Sequence, residues 1–523
     1  MPIIYQTKNG IEYAVLDGRS IRKGTKVTKE SQQYLGRVID KKNHIFYNRK
    51  NGIYQFDERT GAVLPADPSY TAELKDDGRK KKNTVLDFGD VFFVDQLIRS
   101  TGYDKVIDAV DYRNSDTLHA MVLFYILTEY ACVHAQTWYQ GSFASVLYPN
   151  ADLTSQRLSD FIHSLGDEDH QRSYFQAHIN WVKKNVCNDP AIIVDSTGLP
   201  NAIDTYLTQY SNHNGKISHE IRMTSAVQRD TGYPLLYRLV PGNVVDTSTL
   251  ERTILTLEEY DVQTDLALLD AGYYTNENVD RLCDSNIDFV SRLPERYSSL
   301  YDEVIEKCRP SLQKKSNLYE FNGRHIYLTH TDVKIGTHCN HDAFAYIGLD
   351  TERMTDEIHQ AEKTAKKYKK PLSEIHEIIA RAGLFILIST ILYKDEDILQ
   401  VYYTRQLVEQ YYDVEKGISR LTPLRVHSKE SIFGHLLLSQ IAATINLYIQ
   451  KKMECSAENR EELFLSLRNQ KCQVYKSRVI TCEAVSRANE FYDAFNINCP
   501  LAFKKEGDHL TPQNQIDKHP SFE

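Results

Sequence analysis

Two short blocks decide the fold: Ala191–Gly198, AIIVDSTG, and Leu266–Tyr274, LALLDAGYY. Each is a run of aliphatic residues closed by an aspartate. Such a run is too short for a helix and fits a strand buried on both faces. Between them lie two further strand candidates, ISHEIRMTSAVQ and PLLYRLV, separated by the turn RDTGY. A helix candidate follows over about 247–260, where Asp246 or Thr247 is placed to cap it. After the second block come a helix from about Asn276 and the strand-like DFVSRL.

Working outward, residues 1–60 alternate apolar and polar residues around Gly, Asn and Asp turns, which predicts a small β unit. The polar stretch at about 72–84 reads as a linker. Residues 88–184 turn to helical periodicity, as in VFFVDQLIRSTG and DTLHAMVLFYILTEYACVHA. Residues 296–382 interrupt the strand rhythm before GLFILIST resumes it, and DEDILQVYYTRQLVEQYYDVEKG then reads as an amphipathic helix. The predicted organisation is α/β. A ribonuclease H-like core at 189–295 and 384–450 is split by a β-rich insertion at 296–383. A β unit at 1–71 and a helical region at 85–188 precede it, and a C-terminal helical region and tail at 451–523 follow. In that core order the first and fourth strands are neighbours, so Asp195 and Asp270, each ending its strand, share one sheet edge.

The chain has 523 residues and a net charge of −9, so it is not uniformly coated for nucleic acid. Its charge is unevenly spread: residues 1–55 hold eleven Lys/Arg against four Asp/Glu. Basic runs at Arg79–Lys82 and at Lys366, Lys367, Lys369 and Lys370 add local patches, each of which reads equally as a solvated face. Nine scattered cysteines without a Cys-x-x-Cys pair suit a reducing compartment. The N-terminus lacks a secretory pattern, and the apolar stretch Ile432–Ile449 carries His435, Gln440 and Asn446, as a buried soluble element would.

In the last helix Tyr402, Arg405, Glu409 and Lys416 share one face. Tyr403, Leu407, Tyr411, Val414 and Ile418 form an adjacent apolar stripe. Asp195 or Asp270 alone reads equally as a turn or cap residue, and Glu409 as a solvated carboxylate paired with Arg405. Together, three acids without a His or Cys cage suit hard divalent cations and phosphodiester chemistry. His338, Cys339 and His341 lack a fourth ligand and read as a turn, and no G-x-S-x-G elbow surrounds Ser196 and Thr197. Glu220 and Asp246 are candidate additional core acids, with a strand-surface Glu and a helix cap as the simpler readings.

The spacing Tyr402-x2-Arg405-x3-Glu409-x6-Lys416 resembles the Tyr-Arg-Glu-Lys signature of bacterial DDE transposases in the insertion-sequence-four group. The two Asp blocks and YRLVPGNVVDTSTL resemble that group's other regions, over roughly residues 190–450. The resemblance implies an enzyme that cleaves transposon ends and joins the freed 3′-hydroxyl to target DNA. Asp195, Asp270 and Glu409 would bind Mg²⁺, with Mn²⁺ able to substitute, and Tyr402, Arg405 and Lys416 would contact DNA. It also implies terminal inverted repeats and target DNA as partners, a homodimer pairing two ends, and a cytoplasmic, nucleoid-associated location without membrane. Some relatives hold a flipped base with a Trp in the insertion; here the only tryptophans, Trp138 and Trp181, precede the core. A DNA-binding protein without cleavage and a nonspecific ribonuclease H-like nuclease are the competing expectations.

Overall fold

The computed structural model describes residues 2–8, 11–23, 26–30, 33–48, 51–67, 70, 85–213, 216–368, 375–418, 421, 424, 428–453 and 457–514. The linker at 72–84 and the runs Arg79–Lys82 and Lys369–Lys370 lie outside them. The chain divides into two compact units, Met1–Lys82 and Asn83–Glu523. The first is all strand among its described elements. Six antiparallel strands lie in the order Ile3–Lys8, Ile11–Leu16, Gln33–Asp40, Ile45–Asn48, Gly52–Phe56, Val63–Pro65. Alternate side chains face inward, so Ala14, Leu35, Phe46, Tyr54 and Phe56 make a small core.

In the second unit ten strands form one sheet. In chain order they are β1 (Ile192–Pro200), β2 (Gln209–His213), β3 (Lys216–Gln228), β4 (Pro234–Pro241), β5 (Leu266–Leu269), β6 (Asp288–Arg292), β7 (Leu318–Phe321), β8 (Arg324–Ile335), β9 (His341–Asp350) and β10 (Leu384–Ser389). Across the sheet they run β2-β3-β1-β5-β6-β10-β9-β8-β7, with β4 also paired to β3. β1, β5 and β6 are mutually parallel, whereas β3 and β10 flank them antiparallel. Ile192, Ile193, Val194 and Leu266–Leu269 are all buried, which is why these strands read as unbroken apolar runs.

Several expectations need correcting. Asp195 does not end its strand: β1 continues to Pro200 against β3, and only the pairing with β5 stops at Val194↔Leu269. The strands at 318–350 are hydrogen-bonded into the core sheet through β10, which pairs with both β6 and β9. The C-terminal region holds, besides the helices Ala457–Arg468 and Ser486–Ala494, four strands at Lys471–Val474, Arg478–Thr481, Ala502–Glu506 and His509–Gln513. The first of these pairs with Val85–Asp87, tying the end of the unit to its beginning. Arg468 strengthens that closure, donating to Asp90 Oδ2 at 2.7 Å and to the Leu127 carbonyl at 2.6 Å.

The helix Lys429–Met453 is long and apolar enough to cross a membrane by length and composition, yet 89% of its most apolar window is buried inside the unit. It packs on Ser115–Leu127 and Ser155–Leu165. The second contact is backbone-close, since a Cβ added at Gly434 would lie 1.9 Å from the Ile162 carbonyl oxygen. His338 and Cys339 occupy the turn between β8 and β9, and His341 opens β9. Cys339 has a positive φ of 54° there. Trp181 is a packed residue whose indole donates to the Thr101 carbonyl at 2.9 Å.

Candidate active site

Val194 and Leu269 are the last residues joined across β1 and β5, so the next residues, Asp195 and Asp270, stand side by side where the parallel pairing stops. The third acid comes from the segment after β10. There the expected single helix is broken into Asp395–Tyr403 and Gln406–Asp413, followed by a π turn at Val414–Ile418. Tight i→i−3 hydrogen bonds make the break: Arg405 N–H to Tyr402 O, Leu407 N–H to Thr404 O and Val408 N–H to Arg405 O. The apolar stripe shifts accordingly. Tyr402 is buried, while Tyr403 is exposed with its ring 5.0 Å from Phe321. Tyr411 and Val414 pack inward as expected.

Three side chains clamp this segment along β1. The Tyr412 hydroxyl donates to the Asp195 carbonyl at 2.8 Å. Lys416 donates to Thr197 Oγ1 and, at 3.0 Å, to the Gly198 carbonyl. Arg405 donates to Asp195 Oδ2 at 2.9 Å. Its guanidinium also reaches Glu409 Oε1 at 3.1 Å and stands 3.9 Å from Asp270 Oδ1. The three acids therefore surround one cation. Lys416 stands apart from that cluster, farther along β1.

The acids differ in exposure: the Asp195 side chain is 16% exposed, Asp270 43% and Glu409 55%. Burial pushes the Asp195 carboxyl up to about 7; Arg405 and the Ser196 N–H pull it down, and Asp270 and Asp246 add to the rise. For Arg405 burial works to lower the pKa, but Asp270, Asp195, Tyr402 and Glu409 outweigh it and hold the group above its ordinary value. Burial, with Asp270 adding, raises the Tyr402 hydroxyl to about 12, so it stays a neutral donor. Lys416 is lowered by burial, partly offset by Glu415, Glu220 and Asp413.

For two acids the structure favours the core position over the helix cap and the strand surface. Asp246 does not cap a helix with its side chain. Its Oδ1 accepts from Ser196 Oγ at 2.5 Å and from Arg222 Nη1 at 2.6 Å, which fastens the loop after β4 beside Asp195. Asn278 performs a similar task, donating from Nδ2 to the Tyr273 and Thr247 carbonyls and so joining the turn after Asp270 to that loop. Glu220 is buried, not on a strand surface. Its carboxylate lies across Gly198, where an added Cβ would be 2.4 Å from Oε2. No periodicity marks such residues, because their partners are distant in sequence.

A divalent metal is the group this donor set suits: three carboxylates from separate elements, one of them protonating readily when it lacks cationic company. As they stand around Arg405, no three His, Cys, Asp or Glu side chains among the described residues make a preformed metal cluster.

The cryo-EM structure of a piggyBac transposase synaptic complex with hairpin DNA is similar at 10% identity and a TM-score of 0.37, covering 73% of this chain and 79% of that one. That likeness is too distant to argue from. No curated protein matches the chain. The family model of the transposase DDE domain matches residues 187–445, the segment that contains Asp195, Asp270 and Glu409. Residues 187–445 are thus similar to transposase DDE domains, which supports reading the chain as a DDE transposase.

Proposed function

We propose that the protein cleaves transposon ends and joins the 3′-hydroxyl to target DNA, as a member of the insertion-sequence-four group with a ribonuclease H-like core. The observation that carries this reading is the gathering of Asp195, Asp270 and Glu409 around Arg405. The order β4-β3-β1-β5-β6, with β1 and β5 parallel, supports the ribonuclease H-like assignment.

Asp195, Asp270 and Glu409 would hold Mg²⁺ or Mn²⁺, and the metal would supply activation of an attacking oxygen and stabilisation of a leaving one. Asp195 is the most enclosed ligand, fixed by the Ser196 N–H on Oδ1 and by Tyr412 on its backbone carbonyl. Arg405 is the cation nearest all three acids, and its planar fork would suit phosphate oxygens. Lys416, braced on Thr197 and Gly198, offers a point charge farther along β1. Tyr402 keeps a neutral hydroxyl beside Asp270 and Arg405. Two copies pairing two transposon ends, in the cytoplasm and on the nucleoid, complete the reading.

The test is incubation with Mg²⁺ and DNA carrying the element's terminal inverted repeats. Wild type is expected to nick and join; Asp270→Ala is expected to bind the same DNA and cut none. Full activity in Asp270→Ala would sink the proposed site. The alternative is DNA binding without cleavage, with Arg405 keeping its place among the three acids. Repeat binding by the wild type with no Mn²⁺ uptake in titration would establish that alternative.

A further inference from the structure

Beside the carboxylates lies a cleft of about 630 Å³ that the reading above leaves without a role. Its walls are the β2–β3 hairpin, the loop after β4 and the turn after Asp270. Gly272 and Asp246 belong to its lining. The first is two residues beyond Asp270, and the second is bonded to Ser196, the neighbour of Asp195. The cleft therefore adjoins the edge where the acids stand.

Its lining combines three kinds of group. Tyr210, on β2, is 72% exposed. It is held from across the hairpin by His219, with ring centroids 4.8 Å apart and planes at 40°. Arg296 is steadied by its bond from Nη2 to the Tyr274 carbonyl at 3.0 Å. Asn243 supplies a hydrogen-bonding side chain, while Asp246 is already engaged by Arg222 and Thr275 Oγ1 by the Asn278 N–H. An exposed tyrosine alone is ordinary surface. A braced ring, a guanidinium and polar side chains around one cleft match what single-stranded nucleic acid requires: a stacking platform, a phosphate partner and edge contacts.

We propose that this cleft holds one unpaired nucleotide of the DNA strand passing the carboxylates, with its base on Tyr210 and a phosphate against Arg296. The inference rests on the transposase reading. It also fits the position of the cleft, since a strand fixed by one phosphate at the acids must place a neighbouring nucleotide nearby.

The test uses the full chain in Ca²⁺ and two probes: a terminal-repeat duplex, and the same duplex with a short single-stranded extension bearing a fluorescent purine analogue at the junction. Wild type is expected to bind the extended probe more tightly and to quench the analogue. Tyr210→Ala is expected to lose about tenfold in affinity for the extended probe, together with the quench, and to keep its affinity for the plain duplex. Tyr210→Phe is expected to behave as wild type. Unchanged binding and quenching by Tyr210→Ala would overturn the inference, as would an equal loss on both probes, which would mark a duplex contact instead. Metal-dependent cutting of the plain duplex by the wild type is scored separately. If it occurs without any gain from the extension, only the cleft assignment falls; if no DNA is bound or cut, both readings fall.

Discussion

Glu415 sits wholly buried in the π turn, and neither of its carboxylate oxygens nor the adjacent Tyr411 hydroxyl finds a partner at hydrogen-bonding geometry among the described residues. Burial pushes its carboxyl up to about 8, with Tyr411 and Lys416 offsetting only part of the rise. An unfolded glutamate releases its proton near pH 4, so from there to about pH 8 the folded chain holds the extra proton. Stability therefore falls as pH rises through that window and levels off above it. Glu415→Gln is expected to raise the melting temperature at pH 9, by on the order of a few kcal/mol in stability, with the gain shrinking towards pH 5. A pH-independent difference in thermal melts would contradict this. Arg405 has a parallel role for the acids around it, because it neutralises them without metal. Chelation is expected to lower the wild-type melting temperature only slightly, since Arg405 still neutralises the acids once the metal is gone. Arg405→Ala is expected to lower it in chelator and to recover with Mg²⁺, read by calorimetry.

Helix packing in the second unit depends on a few positions where backbones nearly touch. Gly434→Ala forces its methyl against the Ile162 carbonyl and is expected to cost about 1–3 kcal/mol, seen as a lower melting temperature. Elements governed by local pattern were legible in the sequence. The aliphatic runs of β1, β5 and β10 and the helices Leu250–Glu259 and Asn276–Asp284 follow from periodicity and turn signals. So does the register of Arg405 against Glu409. Elements governed by distant partners were not. β2, QYSNH, is too polar to announce a strand and exists by pairing with Lys216–Glu220. The second half of β1, Asp195–Pro200, is equally polar and is held by β3. The break at Thr404–Arg405 exchanges the fates of Tyr402 and Tyr403, and a 3.6-residue period has no means of showing it. Within the site, the acids were visible as residue types in order. Asp246, Tyr412 and Asn278 were hidden because their contacts lie far apart along the chain.

At the scale of the molecule, the unit Met1–Lys82 has its own sheet and core. A chain beginning at Asn83 is accordingly expected to keep the melting transition of the larger unit and its metal-dependent nicking. If the basic first unit reads the transposon ends, selective end binding is lost with it; gel shifts with repeat and scrambled duplexes check both points. Loss of the melting transition would show that the larger unit does not stand alone. The continuous sheet also imposes a timetable. As the chain is synthesised, β6 emerges with one edge open, and that edge is closed only when β10 arrives after the whole of β7, β8 and β9. Glu409 comes later still. A nascent chain can thus carry both aspartates in place while lacking the third acid, and the cluster of three carboxylates is among the last features the growing protein completes.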